Sequence, residues 1–181
     1  EEAERMLRES EASLRRIEKI VREALEASRR TVEELKKVVE RVLREVRKLI
    51  EEIEKKKDVR EELEKLLREV EERVRRVEEE VKEVLDRDRE LVDRVLRRVR
   101  ELLERDEKLN RDVVRRVDKD NMDEVRERLK KTVEDSKRVV EKAEEDLRRS
   151  LEDTERLVRE ASRRLRDLLR ELRRIVEEIK R

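Results

Sequence analysis

The side chains of this protein that could do chemistry are carboxylates, cationic groups and a few hydroxyls. The chain has 54 Asp and Glu against 55 Lys and Arg in 181 residues, and it has no His and no Cys. Acid–base catalysis needs paired groups whose surroundings separate their pKa values, whereas these carboxylates recur on polar helical faces. Zinc, haem, thiol and Ser-His-Asp sites lack their ligands or nucleophiles, and phosphate loops lack glycine. The sequence therefore predicts a non-enzyme without cofactor, metal or small-molecule ligand.

Charge and hydropathy also restrict the partners. Acidic and basic residues alternate along the chain, and the formal net charge is +1. Such a balance gives little field to attract nucleic acid or an acidic membrane, and no aromatic residue is present to stack on bases. No run approaches the length of a membrane span, and no signal peptide is visible. We expect a soluble chain without a targeting signal, consistent with cytoplasmic recombinant expression, that binds neither nucleic acid nor membrane.

An apolar seam indicates that the first fifty-odd residues form one long helix. Gly and Pro are absent from the whole chain, so nothing in this stretch breaks helical periodicity. Small or apolar residues alternate at steps of four and three, which is heptad spacing. The seam begins at Ala3, Leu7, Ser10, Leu14 and Ile17. It predicts a first helix from about Glu2 to Lys57.

Three local signals divide the rest of the chain. Asp58 with Glu61 forms a capping box, Asp88 is a second candidate N-cap, and Asp118–Asn121 is a turn. They predict two short helices followed by a long one that ends near Lys180. The expected fold is all-α, an elongated up-down helical bundle with two long outer helices, two short inner helices and coiled-coil-like packing. A local break over Arg105–Arg111 is left open.

Unequal helix lengths predict two parts. If each helix folds back on the previous one, residues 29–153 close into a four-helix bundle. Residues 1–28 and 154–181 then extend beyond it as a two-helix arm with one apolar flank in water. Pairing two such arms about a twofold axis would complete a second bundle, although a trimer or a monomer with frayed arms is left open. The expected self-association interface comprises Met6, Leu7, Leu14, Ile17, Ile20, Val21, Val158, Leu165, Leu168, Leu169, Leu172 and Val176.

Polar residues placed within the seam predict buried hydrogen-bond layers. On the same register, Ser28 faces Thr154, Asp106 faces Ser136, and Asn110 faces Thr132. Such layers trade stability for specificity, because a misaligned pairing leaves polar groups unsatisfied. The alternative is that each hydroxyl donates to the carbonyl four residues earlier in its own helix. The proposed layers comprise Ser28, Thr31, Ser150 and Thr154 at the base of the arm, and Asp106, Asn110, Thr132 and Ser136 in the bundle.

Taken together, the Asp- and Asn-capped turns, charged faces, Val/Leu/Ile seams and placed hydroxyls resemble those of de novo designed helical bundles and homo-oligomers. This resemblance is one of style and covers the whole chain. It implies an engineered, self-assembling structural unit without a natural biochemical function, with a C2 homodimer through the terminal arms favoured. The alternative is a designed scaffold whose arm receives a different helical chain. A natural spectrin-like spacer is disfavoured, because such repeats ordinarily contain aromatic residues and glycine.

Overall fold

Three long helices make up the part of the chain that the structure, a computed structural model, describes. The described residues are 2–55, 60–116 and 123–181. Helix α1 spans Glu2–Lys55, α2 spans Arg60–Arg116 and α3 spans Asp123–Lys180, with 54, 57 and 58 residues respectively. The fold is all-α, as expected, but the helices are three in number and nearly equal in length.

The prediction of two short inner helices is wrong, because α2 is continuous. It runs through Asp86–Asp88 and also through Arg105–Arg111 without interruption. Asp88 is only 3% exposed and lies in the buried row between Leu85 and Val92. Buried residues thus continue at steps of three and four across Asp88, the candidate N-cap. Packing of this row outweighs the local preference of Asp for a helix N-terminus.

The two predicted connections lie outside the described residues. These are the segment with Asp58, where a capping box was expected, and the Asp118–Asn121 turn. The helix ends next to them agree with dipole preferences: Lys55 lies in the last turn of α1, and Asp123 and Glu124 lie in the first turn of α3. Cations stabilise the carbonyl end of a helix and anions its amide end.

The chain divides into two compact units, and each contains a part of all three helices. The first unit comprises Glu1–Ser28 and Arg89–Leu151. Within it α1 and α3 are parallel: Glu11 pairs with Arg128 at 3.8 Å, and the Oγ atom of Ser28 lies 2.7 Å from that of Ser150. Residue numbers therefore rise together along the two helices. The expected antiparallel arrangement of the first and last helices is wrong, because three helices joined in sequence leave the first and third running the same way.

Helix α2 runs antiparallel to both neighbours in the first unit. Ion pairs join Arg100 to Glu144 at 2.5 Å and Glu107 to Lys137 at 3.4 Å. Seven residues forward on α2 thus correspond to seven residues backward on α3, so the two helices are antiparallel. The core packing shows that α1 and α2 are also antiparallel, because residues later in α1 pack against residues earlier in α2. Two of its clusters comprise Ile17, Val21, Val99, Leu102, Val140 and Ala143, and then Ala24, Val92, Leu96 and Leu147.

The second unit comprises Arg29–Asp88 and Glu152–Arg181. Ion pairs at heptad spacing follow the contact between α2 and α3 here as well, and every carboxylate is on α2. They are Glu78 with Arg166 at 3.8 Å, Glu71 with Arg173 at 2.8 Å, and Glu64 with Lys180. The interior combines aliphatic side chains from all three helices with the buried polar side chains of Asp88 and Thr154. The most deeply buried aliphatic side chains are Val46, Leu63, Val74, Leu165, Leu172 and Val176.

This division differs from the expected bundle over 29–153 with an arm of 1–28 and 154–181. That expectation required a turn at Asp86–Asp88, which the continuous α2 removes. Residues 1–28 belong to the first unit and residues 154–181 to the second. The two segments expected to form one arm are therefore parts of different units, and each packs against its own stretch of α2.

Candidate functional site

Hydroxyl groups expected at the base of the arm meet in a different pairing. Ser28 is fully buried, and its hydroxyl shares a hydrogen bond of 2.7 Å with the hydroxyl of Ser150, which is half-buried. Thr154, the expected partner of Ser28, is also fully buried but belongs to the second unit. Thr31 is half-buried and belongs to that unit too. The parallel direction of α1 and α3 explains the pairing, because it brings Ser28 level with Ser150.

Two hydroxyls of α3 bond locally. Thr132 donates to the carbonyl of Arg128 at 2.8 Å, and Ser136 donates to the carbonyl of Thr132 at 3.0 Å. Both side chains are buried. These are bonds to the residue four positions earlier, the alternative considered for these side chains. A buried hydroxyl satisfied in this way needs no partner on another helix.

Asp106 lies in the first unit and accepts a hydrogen bond from α1. The Ser13 hydroxyl donates to Asp106 Oδ2 at 2.6 Å, joining α1 to α2. Asp106 is only 9% exposed. Burial raises the pKa of its carboxyl, while the Ser13 hydrogen bond and the Arg105 charge partly oppose that shift. The expected neighbour of Asp106, Ser136, faces its own helix instead.

Asn110 lies one turn after Asp106 and contacts α3. Its Nδ2 donates to the carbonyl of Leu129 at 3.2 Å, which places it one turn from the expected Thr132. The Oδ1 atom of Asn110 is buried and has no hydrogen-bond partner among the residues that the structure describes. Buried amide oxygens are seldom left without a donor. This atom is therefore the one feature of the polar cluster that the fold itself does not explain.

These groups line a cleft of about 380 Å³ in the first unit. We call it the Asp106 cleft. Its walls come from all three helices and combine the polar cluster with apolar side chains and charged ends. The lining residues are Met6, Glu9, Ser10, Ala12, Ser13, Arg16, Leu102, Arg105, Asp106, Leu109, Asn110 and Leu129. The sequence signal that could have located it is the pair Asp106 and Asn110, two polar residues four apart on an otherwise aliphatic face.

The expected self-association residues are partly used within their own units. Seven of the twelve are buried: Leu7, Ile17, Val21, Val158, Leu165, Leu172 and Val176. The other five are half-buried: Met6, Leu14, Ile20, Leu168 and Leu169. Those on α1 belong to the first unit and those on α3 to the second. The interface set is therefore divided between two units, and most of it faces the protein interior.

In the described parts of the three helices, no group of three or more His, Cys, Asp or Glu is placed to hold a metal ion. Over the same residues, no helix combines the length and apolar character needed to cross a bilayer.

Comparisons with known proteins point to a fold. No protein-family model matches the chain, and no curated protein matches it either. One solved structure that it resembles is a computationally designed three-helix bundle. The similarity has a TM-score of 0.53 at 21% sequence identity and covers 99% of this chain and 92% of the other. At that identity the similarity establishes the class of fold, a bundle of three long helices.

Proposed function

We propose that the chain is an engineered structural scaffold, with no natural substrate and no catalytic role. The observation that carries the proposal is the combination of composition and fold. Three helices of 54 to 58 residues are built without Gly, Pro or aromatic residues. Average usage would place roughly 13 Gly and 9 Pro in a chain of this length. The designed bundle of similar fold also supports the proposal.

Resistance to denaturation tests this proposal. Idealised designed backbones are typically hyperstable, which means a Tm above about 90 °C or a guanidinium midpoint above about 5 M. We expect the chain to meet at least one of these criteria by circular dichroism at 222 nm. Cooperative melting between about 45 and 65 °C, the range of ordinary mesophilic domains, would contradict the proposal.

Self-association remains a second proposal, and five half-buried apolar side chains support it. Met6, Leu14 and Ile20 on α1 and Leu168 and Leu169 on α3 retain apolar surface that a second copy could cover. Removing apolar surface from water is favourable by about 25 cal/mol of free energy per Å². A different helical chain could cover the same side chains, so partner binding is the alternative form of this proposal.

Light scattering on the purified protein separates these forms. A homodimer requires a mass about twice 22.4 kDa that falls to the monomer value in the double variant Leu14→Glu, Leu168→Glu. A matched variant, Arg15→Glu with Arg170→Glu, changes exposed neighbours and should retain the dimer. A constant mass of 22.4 kDa over a hundredfold concentration range would exclude the homodimer.

A further inference from the structure

The charged surface of this protein is interrupted at the Asp106 cleft. Among the side chains that the structure describes, Ala12 and Leu109 are the only two that are exposed and uncharged. All the other exposed side chains in that part of the chain belong to Asp, Glu, Lys or Arg. Ala12 is on α1 and Leu109 is on α2, yet both line the Asp106 cleft. The two exceptions therefore lie together in the first unit, at the mouth of one cleft.

The apolar surface at this mouth is grouped. Leu109 is 40% exposed, and Met6, which is half-buried, belongs to the same lining as Leu109 and Ala12. Single apolar side chains scattered over a surface need no explanation, whereas a contiguous group marks a place where another molecule can bind. Removing such a group from water is favourable. In a chain that is 60% charged, this group is the best candidate for a contact surface.

The mouth of the cleft carries both a projection and a recess. Leu109 exposes a large branched side chain from α2, while Ala12 presents a single methyl group on α1. The cleft between them has a volume of about 380 Å³. A surface with both features can pair with a copy of itself about a twofold axis, because each copy supplies the projection for the recess of the other.

The charges around the cleft also suit a second copy. Glu9 and Asp106 are balanced by Arg16 and Arg105 in the lining. Of these four, Glu9, Arg16 and Arg105 are exposed, so the rim holds both signs of charge. A balanced rim gives no net field that would favour an anion or a cation. In a twofold pairing, a carboxylate of one copy can approach an arginine of the other, and complementary charges of this kind favour the correct register.

We infer that two copies of the chain pair through the Asp106 cleft, with Leu109 of each copy packed against Ala12 and Met6 of the other. This inference rests on the proposed self-association and adds a face of α2 to the side chains of α1 and α3 named there. A contact limited to one cleft and its rim belongs to the class of weak interfaces, which bury less than about 1,200 Å². Half of the chains should therefore be paired at a concentration between about 10 µM and 1 mM.

Sedimentation equilibrium over this concentration range, combined with three variants, tests the inference. Leu109→Gln removes the apolar projection without adding charge, and Ala12→Gln fills the recess with a longer polar side chain. Each should weaken pairing by about tenfold or more, because the apolar contact is lost twice in a twofold dimer. Lys108→Gln makes the same replacement at an exposed neighbour outside the cleft lining and should leave pairing unchanged. Circular dichroism establishes that each variant is folded.

The outcomes separate this contact from the broader proposals. A folded Leu109→Gln or Ala12→Gln variant that pairs as tightly as wild type would overturn the inference and leave self-association standing. If Leu109→Gln failed to fold, Ala12→Gln would decide, because its side chain is exposed. A mass that rises well above twice 22.4 kDa would contradict a closed twofold contact. A constant monomer mass would remove both this contact and self-association, while the scaffold proposal is tested separately by denaturation.

Discussion

Asp106 shows how one buried carboxylate affects both stability and a candidate site. The side chain is 9% exposed and accepts a hydrogen bond from Ser13. Its pKa is raised mainly by burial, because removing water disfavours the charged form. A carboxylate with a raised pKa destabilises the folded state at neutral pH relative to its protonated form. The buried charge of Asp106 therefore lowers the free energy of unfolding at neutral pH.

Replacing Asp106 with Asn should raise the free energy of unfolding at pH 7 by about 1 kcal/mol, a size common for point changes. The amide oxygen can still accept the Ser13 hydrogen bond, while the buried charge is gone. The difference from wild type should shrink as the pH falls through the raised folded pKa of Asp106 towards its ordinary value of 3.8. Protonation then removes the same charge from the wild type. Denaturant unfolding of both proteins from pH 7 to pH 3 measures this difference. A variant less stable than wild type at pH 7 would contradict this interpretation.

At the scale of the element, α2 shows a competition between a local signal and a periodic one. Asp is a good N-cap, and Asp86, Arg87 and Asp88 interrupt the aliphatic pattern. However, buried residues recur across them every eleven positions, as in the row of Val77, Asp88 and Val99. An eleven-residue repeat averages 3.67 residues per turn, close to the natural period of an α-helix. Asp88 therefore occupies a helical seam position.

Introducing proline at position 87 tests the continuity of α2. Arg87 is exposed in mid-helix, so Arg87→Pro should remove a backbone hydrogen bond and lower the free energy of unfolding by about 3 kcal/mol. Arg87→Ala is the matched control and should change stability by less than about 0.5 kcal/mol. Urea or guanidinium unfolding gives both values. A well-tolerated proline would indicate a turn at this point and would restore the short inner helices.

The sequence predicted the all-α class of fold from periodicity, together with a first helix that begins at Glu2 and a last helix that ends at Lys180. The predicted end of the first helix at Lys57 lies outside the described residues, and the two helix ends predicted at Asp86–Asp88 are absent from α2. Side-chain pairing was less predictable. Whether the first and last helices run parallel depends only on the number of turns between them. One misassigned turn at Asp88 therefore reversed their relation, which is why Ser28 was matched with Thr154.

At the scale of the whole molecule, the three helices are nearly equal in length, so unequal helix lengths are no longer a reason to expect a partner. Two long and two short helices would leave an uncovered arm, whereas helices of 54, 57 and 58 residues can cover one another along their lengths. Each unit has its own aliphatic interior drawn from α1, α2 and α3. The proposed self-association then depends on the half-buried apolar side chains of α1 and α3.

The parallel direction of α1 and α3 is the central claim, and one distance tests it most directly. Arg8 and Glu127 are exposed positions of the first unit, and the chain has no native cysteine, so Arg8→Cys with Glu127→Cys places two spin labels cleanly. Neighbouring helices lie roughly 10 Å apart, so pulsed electron paramagnetic resonance on spin-diluted protein should give a label separation below about 30 Å. An antiparallel four-helix arrangement would separate the same positions by roughly 70 Å, and a distance of that size would contradict the three-helix fold.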